Sequence, residues 1–259
     1  MSACHRRHGG DGPDPLTAAE NSLVPSDAQP ATDSVRVAAY FDRLYGSMER
    51  YWWRDGDPYS LDPDSYSTAL LPQMTLRLLR ERAKNDPDDG PRRALDLGAG
   101  EGADSIRLAL LGYEVTAVDV SAEASGKIRR LAAEAGVGVT VVTADIGEYR
   151  PEGQFDVVTC NGVLHYIRDK VSVIGRMQGA TRPGGLNVVS AWSSYSPVPA
   201  YHNSVPVYCD DEEGVITSAY GTWDIKLRYF ERNKPETSHT GMPAHSHSHI
   251  KLIAEKPGP

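Results

Sequence analysis

Between residues 93 and 192 the chain alternates short, nearly continuous apolar runs with stretches in which apolar residues recur at helical spacing. Arg93-Ala94-Leu95-Asp96-Leu97 reads as a buried strand that runs into Gly98-Ala99-Gly100-Glu101-Gly102, and an amphipathic helix opens at Ala103. Gly112 closes that helix, and Tyr113 to Asp119 reads as a second strand ending on an acid. Ser121 is placed to cap the next helix and Gly136 to end it, with Ile128, Leu131, Ala132 and Ala135 as its buried stripe. Val139 to Val142 gives a third strand and Phe155 to Cys160 a fourth. A further helix leads to Thr181-Arg182-Pro183-Gly184-Gly185, a turn before a fifth strand from Leu186 to Trp192. Alternation of this kind implies a parallel sheet covered on both faces.

The flanks follow other patterns. Residues 1 to 33 are rich in Gly, Pro, Asp, Ser and Ala and bury too little apolar surface to offset ordering entropy, so disorder is expected there. Order is expected from about Val35, followed by Tyr45, Tyr51, Trp52, Trp53 and Tyr59 and by an amphipathic helix from Thr68 to Arg82 that carries Leu71, Met74, Leu78 and Leu79. Residues 34–90 therefore read as a helical cap or lid, and 91–259 as the core. Beyond a proline-bearing loop from Ser193 to Asn203, Trp223 to Phe230 and Ile250 to Ala254 read as strands that add an antiparallel edge. The fold class expected is α/β, a doubly wound, seven-stranded, mostly parallel sheet with an antiparallel C-terminal edge and an aromatic N-terminal cap.

Composition narrows the function. No apolar run approaches a membrane span, and the N-terminus lacks the apolar core of a signal peptide. Cys4, Cys160 and Cys209 show no CxxC spacing and read as free thiols of a reducing cytoplasm. A formal charge of −8, from 27 basic and 35 acidic residues, disfavours a nucleic-acid substrate. The glycine turn is the main chemical signal: glycines let backbone pass close beneath a ligand, and the helix start beyond them favours an anion or a nucleotide-like group. Asp119, at a strand end, is placed to accept both hydroxyls of a ribose; its plain alternative is a solvated acid. A nicotinamide is the other cofactor such a turn suggests, but Gly98, Gly100 and Gly102 lack the wider second gap of its fingerprint.

Taken in order, ALDLGAGEG, Asp119, the pair Asp145-Ile146 and RPGG before the fifth strand resemble the class I S-adenosylmethionine-dependent methyltransferases. LALLGYEVTAVDVSAEA and MQGATRPGGLNVV resemble the tellurite-resistance branch, although the region from Lys234 to His239 departs from it. The resemblance implies a Rossmann-like methyltransferase fold with S-adenosyl-L-methionine as cofactor and S-adenosyl-L-homocysteine as product. It implies that Asp96, Gly98, Ala99, Gly100 and Gly102 frame the methionine moiety and that Asp119 and Val120 meet the ribose. It further implies that Asp145 faces the adenine amino group, that Ile146 packs on the ring, and that Asn161 and Gly162 lie under the sulfonium end.

For catalysis, His165 just past strand four is a candidate base, or else a packed residue at a helix start. His245, His247 and His249 alternate, so an extended backbone places all three on one face, with His239 and Glu236 shortly before. That run reads as an active-site element (His239, His247 and His249), as a metal site, or as a polar loop; no residue is assigned as a metal ligand. Tyr51, Trp52 and Trp53 are candidates for a lid over the acceptor or for simple packing, and Tyr195, Tyr201 and His202 follow strand five, where acceptor-binding loops sit. The expected function is transfer of a methyl group by in-line displacement to N, O or S of a small metabolite, a natural-product intermediate among the candidates. A chalcogen oxyanion or a peptide is the alternative acceptor, and a non-catalytic cofactor sensor the alternative of another class. No nucleic acid, no membrane and a monomer or homodimer complete the expectation.

Overall fold

The computed structural model describes residues 32–51, 59–63, 70–85, 90–199, 202, 204–236 and 244–258. Helices α1 (Asp33–Gly46) and α2 (Leu70–Asn85) precede β1 (Arg92–Leu97), α3 (Ala103–Leu110), β2 (Tyr113–Asp119), α4 (Ala122–Glu134) and β3 (Val139–Thr143). Then come β4 (Phe155–Asn161), a short 3-10 turn (Leu164–Tyr166), α5 (Lys170–Ala180), β5 (Thr181–Trp192), α6 (Val215–Ser218), β6 (Asp224–Glu236) and β7 (His245–Glu255). Seven strands form one sheet in the order β3-β2-β1-β4-β5-β7-β6. The first five strands pair in parallel, and β7 runs antiparallel between β5 and β6.

Alternation along the central strands sends side chains into two separate cores. Leu95 and Val158 join Val173, Ile174 and Met177 of α5. Ala94, Val157 and Val188 meet Leu71 and Leu79 of α2 and Leu108 of α3. Both faces of the sheet are therefore covered, which is why β4 reads as one apolar run. α4 starts as its sequence suggests, with the Ser121 hydroxyl accepting from Ala124 N–H at 3.0 Å, and Gly136 follows its end at φ 69°.

Three boundaries differ from expectation. Asp33 opens α1 instead of closing a disordered segment, because its carboxylate accepts from the Tyr208 hydroxyl at 2.7 Å; residues 1–31 lie outside the described residues. The Arg182–Gly185 turn lies within β5, where Phe155 pairs with Thr181 and Val157 already with Leu186, so the strand absorbs the glycines as an irregularity. β7 begins at His245, so the histidine run belongs to the strand; its pairing with β5 on one side and β6 on the other extends the ladder past Ile250.

The segment after α1 is tied to the core by a buried ion pair. Lys127 Nζ lies 2.8 Å from Glu101 Oε1, with side chains 8% and 0% exposed. Glu101 also accepts from the Tyr51 backbone N–H at 2.8 and 3.0 Å, and Lys127 donates to the Met48 carbonyl at 2.7 Å. Removing one partner leaves the other buried and uncompensated. Lys127→Met is expected to lower stability by about 3–5 kcal/mol, and adding Glu101→Leu to recover most of it, as read by denaturant unfolding.

Candidate functional site

A cavity of about 610 Å³ opens at the carboxyl ends of β1, β2 and β4. Strand order reverses between β1 and β4, the place where open α/β sheets bind ligands. The cavity continues past β5 to β7 and β6, and α1 lines it from the N-terminal side.

Its first half is built on the glycine turn. Gly98, Gly100 and Gly102 all have positive φ (71°, 55° and 83°). Gly98 and Ala99 donate to the Val118 carbonyl at 2.7 and 3.1 Å, which clamps the turn to the end of β2. Gly100 N–H then reaches Asp119 Oδ2 at 2.8 Å, and Ser121 N–H reaches Oδ1 at 2.9 Å. Each oxygen keeps lone-pair capacity for a ligand hydroxyl. Burial pushes the Asp119 carboxyl above its ordinary range.

Asp145 is set by the Gly147 N–H, which donates to its Oδ1 at 2.7 Å, and Ile146 is buried beside it. Asn161 ends β4 and donates to Asp104 Oδ2 at 2.6 Å; its Oδ1 is buried with no hydrogen-bond partner among the described residues. Asp96, Gly98, Ala99, Gly100, Asp119, Val120, Asp145, Ile146, Asn161 and Gly162 all border the cavity. Gly102 does not; it shapes the turn, since a Cβ there would stand 3.0 Å from Ile128 Cγ1.

The second half is a wall of strand residues. Trp192 of β5 pairs with His249 of β7, which pairs with Glu231 of β6, and Ser190 pairs with Lys251 two residues along. Residues opposite one another share a face, so this row converges on one end of the cavity. Glu231 Oε2 lies 2.9 Å from Lys251 Nζ, 3.4 Å from His249 Nδ1 and 3.8 Å from Lys234 Nζ. His165 stacks on Trp192 with ring centroids 4.3 Å apart, and Trp192 also stacks on His247 at 4.0 Å. His202 meets the Trp192 ring edge-on at 4.7 Å.

These positions correct several expectations. The Trp192 backbone N–H donates to His165 Nδ1 at 3.2 Å. A lone pair must face that donor, so in the neutral ring the proton sits on Nε2. Burial first, then the neighbouring imidazoles, drive the His165 pKa well below its ordinary value. Nδ1 is thus occupied by a backbone donor and Nε2 has no hydrogen-bond partner among the described residues, so His165 lies packed in the wall. His247 does not border the cavity; it is buried against Trp192. Tyr195 is 53% exposed and outside the cavity, its ring under the Arg232 guanidinium at 4.7 Å, so the loop after β5 does not offer it as an acceptor contact. Tyr51, His202 and His249 do border the cavity. Trp52, Trp53, Tyr201 and His239 lie outside the described residues. Cys160 is fully buried, and burial pushes its thiol up.

Two groups escaped the sequence reading. Tyr40, Phe41 and Tyr45 of α1 line the cavity, with Phe41 edge-on to Tyr166 at 5.3 Å. Their signal was present, since Val37, Tyr40, Phe41 and Leu44 fall at helical spacing on one face. Glu231 carried none: only strand pairing brings it to His249.

Residues 94–185 match the family described as methyltransferase domain. That stretch, about a third of the chain, is similar to methyltransferase domains. Among curated relatives, the ubiquinone biosynthesis O-methyltransferase of Bordetella pertussis is 34% identical over 54% of this chain and 56% of its own length. The chain thus spans about half the length of such relatives. Among solved structures, TehB from Haemophilus influenzae superposes with a TM-score of 0.57 at 22% identity, over 70% of this chain and 62% of that one. Magnesium protoporphyrin IX methyltransferase from Synechocystis PCC 6803, solved with bound SAM, gives 0.56 at 19% identity, over 88% of this chain and 100% of that one. At these identities the likeness to both structures concerns the fold.

Two outcomes test the half of the cavity built on the glycine turn. A Cβ at Gly98 would overlap the Val163 side chain and sit at positive φ. Gly98→Ala should therefore cost more than the roughly 1–2 kcal/mol of left-handed backbone alone, and Val163→Ala should relieve only the excess, as read by unfolding. Asp96 lies between the Ser105 and Thr159 hydroxyls, each donating at 2.6 Å, and desolvation followed by the Asp104 charge raises its pKa from 3.8 to about 7. Between those pH values the folded chain holds a proton that the unfolded chain has released. Its contribution is complete below pH 3.8 and is lost as pH rises through about 7. Asp96→Asn should accordingly gain in Tm relative to the unsubstituted chain as pH rises from 4 to 8, measured by thermal melting without cofactor.

Proposed function

We propose that this chain transfers the methyl group of S-adenosylmethionine to a nucleophilic nitrogen, oxygen or sulfur atom of a small molecule. The observation that carries the reading is that one cavity joins the glycine turn, Asp119 and Asp145 to the polar wall of Glu231, His249 and Lys251. In this reading Asp119 takes the ribose hydroxyls, Asp145 and Ile146 hold the adenine, and the turn from Asp96 to Gly100 frames the methionine end beside Asn161. The methyl then lies between the turn and the β5–β7 wall. Displacement at the sulfonium needs little covalent help from the protein, so alignment and electrostatics supply the rate. The positive charge of the donor disperses during transfer, and the neutral aromatic faces of Trp192 and Tyr166 suit it.

His249, facing the Glu231 carboxylate at 3.4 Å, is the group best placed to take the proton that the acceptor loses. Residues 34–51 act as a cover over the bound donor, held by Tyr51 on Glu101 and by Asp42, which accepts from the Ser121 hydroxyl at 2.6 Å. The size and mixed polarity of the cavity favour a metabolite over a peptide chain.

Titration calorimetry with S-adenosylhomocysteine is the first test, followed by product analysis with a panel of thiols, amines and phenols. Binding is expected, with Asp119→Ala weaker by about 10- to 100-fold, the worth of hydrogen bonds to a charged group. Folded protein that binds neither the donor nor its demethylated product overturns the reading. Tight binding without turnover across the panel replaces the transferase with a sensor.

A further inference from the structure

Behind the acceptor wall three imidazoles meet. His202 comes from the loop after β5, His245 and His247 from one face of β7. One ligand atom from each lies within 4.8 Å of the other two. The ring centroids are 4.8 Å apart for His245 and His247 and 5.5 Å for His202 and His247. His202 and His247 are 3% exposed, and His245 is half-buried. Chain segments more than 40 residues apart thus deliver three nitrogen donors to one point, and the indole of Trp192 backs two of them.

We propose that His202, His245 and His247 form a binding site for a divalent transition-metal ion of the zinc class. Imidazole is a borderline ligand that suits zinc, cobalt, nickel and copper, whereas magnesium and calcium seek oxygen donors. Three histidines with a fourth position left for water or substrate is a donor set of catalytic zinc sites. A tetrahedral ion with metal–nitrogen bonds of about 2.0–2.1 Å needs donors roughly 3.3 Å apart, so the cluster closes on the ion by imidazole rotation of an ångström or so per pair. His202 borders the cavity, which puts the ion beside the acceptor end and away from the glycine turn. The consequence for substrate class rests on the methyl-transfer reading: a thiol or hydroxyl acceptor would bind the open position and give up its proton on coordination, with His249 to receive it.

The test uses the full chain, stripped with a chelator, dialysed and titrated with Zn²⁺, with Co²⁺ as the spectroscopic probe. One ion per chain is expected, with visible Co²⁺ absorption of a four-coordinate site. His202→Ala and His247→Ala should each weaken binding at least tenfold. His249→Ala should leave it within about twofold, because His249 lies outside the cluster. Where an alanine variant does not fold by circular dichroism, His202→Gln takes its place. Folded protein that binds no ion overturns the proposal. So does binding that survives loss of His202 but fails with loss of His249, since the alternating strand histidines would then chelate by themselves. Calorimetry with S-adenosylhomocysteine on the same metal-free protein separates the two readings. Metal bound without the nucleotide leaves the histidine site standing and removes methyl transfer; nucleotide bound without metal does the reverse.

Discussion

The arrangement depends on the absence of three methyl groups. At Gly98, Gly100 and Gly102 the backbone runs at positive φ, and three different elements close on it. Val163 after β4 presses on the first, the Tyr45 hydroxyl of α1 stands 2.9 Å from where a Cβ of the second would lie, and Ile128 of α4 packs on the third. Side chains at these positions would push those elements apart and add the cost of left-handed backbone. With glycine, the turn lies flat against the end of β2, and the Gly100 N–H meets Asp119. The carboxylate is thus oriented by backbone, the least mobile partner available, before any ligand arrives.

The same turn governs the cover. Glu101 stands between two of the glycines, and its buried carboxylate holds both Lys127 and the Tyr51 backbone. A buried pair adds little stability compared with an apolar replacement, because desolvation opposes the Coulombic attraction. Its value is positional: an apolar pair would tolerate sliding, while a charge that must be satisfied at one place does not. Residues 48–51 are consequently referenced to the backbone that would hold the donor, and α1 brings Phe41 and Tyr45 with them. The segment after α1 and the glycine turn are thereby tied together.

Much of this was legible in the sequence because it is local. A strand, a turn of alternating glycines and a capped helix are specified by neighbouring residues, and so were β1 to β4 and α4. The glycine-turn half of the cavity is local in the same sense, since Asp96, Asp119, Asp145 and Asn161 each sit at or next to the end of a strand whose apolar run predicts it. The strand-wall half is not. Glu231 reaches His249 through a register that includes an irregularity between Glu231 and Lys234, with Asn233 at φ 52°. No periodicity within residues 224–236 announces that partner. Tyr195 misled for a related reason: the position of a loop can be guessed from sequence, but not the direction in which its tip turns. The surroundings of His165 were not legible either, because its Nδ1 meets a backbone N–H contributed 27 residues later.

The inward placement of β7 explains why the acceptor wall is built from strands. Between β5 and β6 its polar side chains have neighbours on both sides, so His247, Ser248 and Lys251 can be buried without disrupting the sheet. Ser248 is one such group, its hydroxyl meeting Ser196 at 2.5 Å and accepting from Asn233 N–H at 2.9 Å. An edge strand with this sequence would expose its histidines to water, where their spacing would scatter with every fluctuation. Within the sheet, His247 is buried against the indole of Trp192, which in turn lines the cavity. The two ends of the site therefore answer to different constraints. A backbone turn on which three elements close forms one end, whereas strand side chains form the other. In the proposed methyl transfer the first faces the donor and the second the acceptor, so divergence in substrate is easiest to accommodate along β6 and β7, where a substitution alters a contact without moving the turn.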